Sequence, residues 1–82
     1  MDKTWKQMWK DHLERHYADA AERWEHETKD DRLVFCITYR KMQEALDSLP
    51  DEPHIFIQQA VTSKIWTATR MMDKILEVFK GR

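Results

Sequence analysis

The chain is poor in everything that breaks or cross-links a fold. Its 82 residues include one glycine, Gly81, two prolines, Pro50 and Pro53, and no asparagine. A β-rich domain needs several tight turns, and tight turns draw on those residues. The scarcity therefore points to a few long helices. It also excludes glycine-rich phosphate loops, the nucleophile elbow and the dinucleotide fingerprint, all of which need internal glycines. Cys36 is the only cysteine, so no disulfide forms within the chain, and a lone thiol fits a reducing compartment. Long apolar runs are missing too. The longest, Leu33 to Ile37, is far below the roughly 20 residues that span a bilayer. Met1-Asp2-Lys3-Thr4-Trp5-Lys6 offers no signal-peptide core, and a cytoplasmic protein without a membrane segment is expected.

Neither sign of charge dominates. The formal net charge of −1 argues against a dedicated nucleic-acid binder. The distribution is uneven: residues 1–29 balance to −1, residues 30–53 to −3 and residues 54–82 to +3. An acidic middle and a basic end suit attraction within the fold or between copies. A single domain of this size hides only ~60–65% of the surface its unfolded chain exposes. Its stability is modest, and self-association is one way to complete it.

What the chain does have is helical periodicity. At about 100° per residue, the segment from about Lys3 to Glu27 gathers Trp5, Trp9, Leu13, Tyr17, Ala20 and Trp24 on one side. Asp11, Glu14, Ala18, Glu22 and Glu25 fall opposite. Thr28 to Asp31 supplies the break, with Thr28 or Asp30 as the residue that caps the next helix. The second segment, about Asp31 to Ser48, puts Phe35, Thr38, Tyr39, Met42, Ala45, Leu46 and Leu49 on one face, with Leu33, Cys36 and Ile37 elsewhere. Residues 33–39 also have the β-branched and aromatic content of a buried strand, and helix is the preferred reading. Leu49-Pro50-Asp51-Glu52-Pro53 is a turn and a helix start. The third segment, about Pro53 to Lys80, carries a broad apolar face: Ile57, Ala60, Val61, Ile65, Ala68, Met71, Met72, Ile75, Val78 and Phe79. The fold expected is an all-α three-helix bundle, with segments two and three as a hairpin.

Candidate sites are few. His12 and His16 lie four apart on one helical face, a spacing that can grip a metal. The zinc-protease pattern, however, requires Glu after the first histidine, and Leu13 stands there. Rings packing at the core margin are the better reading, and no metal or cofactor is expected. His26 and His54 are isolated, and Cys36 reads as a small buried hydrophobe. Lys64 falls within the apolar face of segment three. It is either a ligand-facing cation or, the preferred reading, a stem that packs while its ammonium reaches solvent.

Trp66 is the most informative residue. It lies nearly opposite that apolar face, in line with Ile55, Gln59, Thr62, Thr69 and Arg70, with Lys74 adding charge on the same side. An exposed tryptophan beside arginine is the composition of an interface hot spot. The competing reading is that segment one wraps over the indole. The leading expectation is thus a non-enzymatic interaction protein that binds a protein partner, itself, or both. Small inhibitors, antitoxins, immunity proteins and anti-defence proteins share its size and helical composition, an analogy of shape without a motif. The alternative is binding of a nucleotide or nucleic acid through Trp66, Arg70, Lys74 and nearby hydroxyls, since bases stack on indoles beside cations.

Overall fold

The computed structural model describes residues 2–27 and 30–80, the last of them by its backbone only. Three helices form: α1 (Trp5–Arg23), α2 (Asp30–Asp47) and α3 (Ile55–Lys80). Residues 33–39 are helical and belong to α2, which rules out the strand reading. There is no strand among the described residues.

Each helix end has a local cause. Thr4 caps α1: its hydroxyl accepts the Gln7 N–H at 3.2 Å, and the Gln7 side chain accepts the Thr4 N–H at 3.4 Å. This reciprocal pair satisfies two donors that the helix cannot satisfy itself. The next two donors are met from across the fold. Trp5 N–H donates to the Glu52 carboxylate, and Lys6 N–H donates to the Asp51 carbonyl at 3.1 Å. Lys6 Nζ donates to the Leu49 carbonyl at 2.9 Å, while Lys10 pairs with Asp47. The start of α1 is therefore tied to the loop between α2 and α3, and the Glu52 charge suits the positive end of the helix.

α1 ends at Arg23, four residues before the expected Glu27. Trp24 leaves the helix at φ −102°, ψ 12°, which turns its indole edge-on to Phe35 at 5.2 Å and Phe79 at 5.4 Å. Packing one aromatic against both other helices outweighs one more helical turn. α2 begins at Asp30 with φ 42°, a left-handed backbone that Asp tolerates better than most residues. Thr28, the other expected cap, lies outside the described residues. α3 starts at Ile55, two residues after the expected Pro53. His54 takes the cap position: its ring nitrogen accepts the Phe56 N–H at 3.2 Å, and its carbonyl accepts the Ile57 and Gln58 N–H groups.

The core is one cluster centred on α2. Leu13, Phe35, Leu46 and Met72 are fully enclosed, joined by Tyr17, Ala20, Cys36, Met42, Ile65 and Ile75. The expected inner face of α1 holds throughout, with its tryptophans at the margin. α2 corrects one expectation and bears out another. Ala45, placed on the inner face, is exposed; Cys36, off that face but read as a small buried hydrophobe, is buried, and its thiol donates to the Ala21 and Trp24 carbonyls at 3.6 and 3.4 Å. The reason is position. α2 is the middle helix and buries both flanks, Cys36 against α1 and Met42 against α3. Burial also raises the Cys36 thiol above its ordinary pKa, which keeps it protonated and unreactive.

α3 is too long to be covered. Its 26 residues extend about 39 Å at about 1.5 Å per residue, the full 40 Å length of the molecule, whereas α2 has only 18. Of its expected apolar face, Ile65, Met72 and Ile75 are buried, but Ile57, Ala60, Met71 and Val78 are exposed. No helix of the described residues is long and apolar enough to cross a membrane.

Candidate functional site: an aromatic groove

α1 and α3 both pack on α2, yet their backbones barely meet each other. Among the side-chain contacts that bridge them are Trp24 against Phe79 and the Tyr17 hydroxyl, which donates to Asp73 Oδ1 at 2.8 Å. Toward the start of α1 the gap widens into an open groove of about 580 Å³. From α1 come Trp5, Met8, Trp9, His12 and Tyr17; from α3 come Trp66, Thr69, Arg70 and Asp73. Trp66 is 59% exposed and Met8 61%, so large apolar surfaces stand in solvent on both walls. Exposed apolar side chains on both walls make this groove the candidate site.

The charges of the groove are already apportioned. Asp73 takes the Tyr17 hydroxyl, and burial together with that carboxylate pushes the phenol well above its ordinary range, so it stays a neutral donor. Burial, followed by the charges of His16 and Arg15, holds His12 below the ordinary imidazole range. Its ring stands edge-on to Trp9 at 5.8 Å and 4.5 Å from His16, and both histidines are exposed. No group of three His, Cys, Asp or Glu side chains gathers to hold a metal among the described residues. Arg70 is different. No carboxylate pairs with it among the described residues.

The five residues singled out from the sequence divide. Trp66 and Arg70 stand on the groove. Ile55 and Thr62 line a smaller adjoining hollow of about 380 Å³, with Trp5 shared between the two. Lys74 is exposed but lines neither. Segment one does reach Trp66, through Trp5 and Trp9, but shares a groove with it and does not cover it. The wall from α1 was missed by sequence reasoning, because Trp5, Trp9 and Tyr17 sit on the core-facing stripe. The available signal was Met8, an apolar residue beside that stripe and next to Trp9.

Elsewhere, Lys64 is exposed beside a shallow groove between α2 and α3, and His26 is exposed beside Glu25 at 3.3 Å. Comparison with protein-family models, characterised proteins and solved structures finds no match to this chain.

Proposed function

We propose that the protein is a non-enzymatic interaction module whose α1–α3 groove receives an amphipathic helix from a protein partner. The observation that carries this reading is Trp66, 59% exposed across the groove from Trp5 and Trp9. Two helices braced on a third leave a slot where a fourth would complete a bundle. Aromatic and methionine side chains on both walls are the residue types that anchor helix-in-groove complexes. The unpaired Arg70 supports a partner that brings a carboxylate to the rim, because Asp73 is occupied by Tyr17. The tied start of α1 supports pre-organisation. Its wall needs little ordering on binding, which limits the entropy cost.

The nucleotide alternative is the weaker reading on the same surface. Among the described residues Arg70 is the one lysine or arginine lining the groove, and Asp73 stands three residues along, a poor setting for a polyanion. The test is a photo-cross-linking amino acid at Met8, in cells that express the protein. A defined adduct with another protein, lost when Trp66→Ala is added, is expected. A nucleic-acid adduct, an adduct only with a second copy, or no adduct would refute the reading.

A further inference from the structure

The α2–α3 hairpin has a second uncovered face, on the side away from α1. Ile57, Lys64, Met71 and Val78 recur every seven residues along α3, and two helical turns bring such positions into one line. Ile57, Met71 and Val78 are 44%, 38% and 50% exposed. Val34 on α2 is 42% exposed, and between the helices runs a shallow groove of about 400 Å³. Small side chains, Ala45 and Ala68, contribute to its lining, and Lys41 and Lys64 stand on it.

Those two lysines are the telling feature. They are the charged groups of the groove lining, and, like Lys74 and Arg40, they have no carboxylate partner among the described residues. An apolar partner laid on the seven-residue line would bury an unpaired ammonium, which is strongly unfavourable. Symmetric pairing with a second copy would bring lysine toward lysine, because among the described residues the groove lining holds no carboxylate. Two lysines are also fewer than the four to eight that hold a segment to an anionic membrane.

We propose that this face docks an acidic amphipathic helix of a second protein, laid along α3 so that its carboxylates meet Lys41 and Lys64. The α1–α3 groove is not involved, so this inference does not rest on the proposed function. Apolar contacts along Ile57, Met71 and Val78 supply affinity, and the lysines select the sign of the partner and reject basic helices.

The test titrates the full chain with a labelled helical peptide of about 24 residues carrying leucine heptads flanked by glutamate, against the same peptide with lysine in place of glutamate. The glutamate peptide is expected to bind and the lysine peptide to fail. Lys41→Glu with Lys64→Glu should weaken the glutamate peptide at least about tenfold and admit the lysine peptide. Trp66→Ala should change neither. Lys41→Ala with Lys64→Ala serves if the charge reversals do not fold, with the same loss expected. Equal binding of both peptides, no binding of either, or indifference to the lysine changes would overturn the proposal. So would mass doubling by light scattering, or binding only to phosphatidylcholine–phosphatidylserine vesicles.

Discussion

Trp66→Ala separates an interface tryptophan from a core one. At 59% exposure, about two-fifths of the residue is covered. That is on the order of 100 Å² for a side chain of this size, or ~2.5 kcal/mol at ~25 cal/mol/Å² as an upper bound. Part of the cover comes from the helix's own backbone and survives the truncation. Alanine also returns ~0.5 kcal/mol of helix propensity. The expected net loss is about 1 kcal/mol or less, a fall in Tm of about 4–8 °C at most for a domain of this size. Phe35→Ala is the internal standard. That ring is fully enclosed between Tyr17 and Trp24, and its loss should cost ~3–5 kcal/mol. Urea and thermal unfolding followed by far-UV circular dichroism measure both. If Trp66→Ala costs as much as Phe35→Ala, the indole is core and the argument for the groove fails.

Tyr17→Phe removes one tie between α1 and α3 at a cost of ~1.5–3 kcal/mol, since one partner is a carboxylate. The raised Tyr17 pKa also means that stability present below about pH 10 is lost as pH rises toward the folded-state value, and Tyr17→Phe should abolish that alkaline decline in denaturation midpoints. His12 has the opposite sign: its folded pKa lies below the ordinary 6.5, so the unfolded chain takes the proton first. Stability should fall as pH drops below about 6.5, and His12→Gln should flatten that slope in melts across pH 4–7. Thr4→Ala removes the α1 cap for ~0.5–2 kcal/mol, read as a lower Tm. Replacing both His12 and His16 with Gln should leave Tm insensitive to chelator; a Tm that drops on chelation of the unaltered protein would reveal a metal.

The fold was legible because it rests on local rules. The near absence of glycine, proline and asparagine, with apolar residues at helical spacing, left three helices as the consistent solution. The inner stripe of α1 follows from periodicity, whereas on α3 periodicity gave the face that holds Ile65, Met72 and Ile75 but not which of its residues α2 would cover. Boundaries were less legible where a tertiary contact overrode the pattern. Trp24 leaves its helix to reach Phe35 and Phe79, and Glu52 supplies α1 from 47 residues away, a contact that no local window contains.

The candidate site was half legible. A tryptophan and an arginine on the wrong side of an amphipathic helix could be read from residue spacing. Periodicity assigns each side chain a direction on its own helix but says nothing about the distance to the next one. Only the tertiary structure decided that α2 takes the middle and that α1 and α3 stand apart. That separation makes Trp5 and Trp9, which periodicity placed on the core-facing stripe, part of the wall of a groove together with Met8.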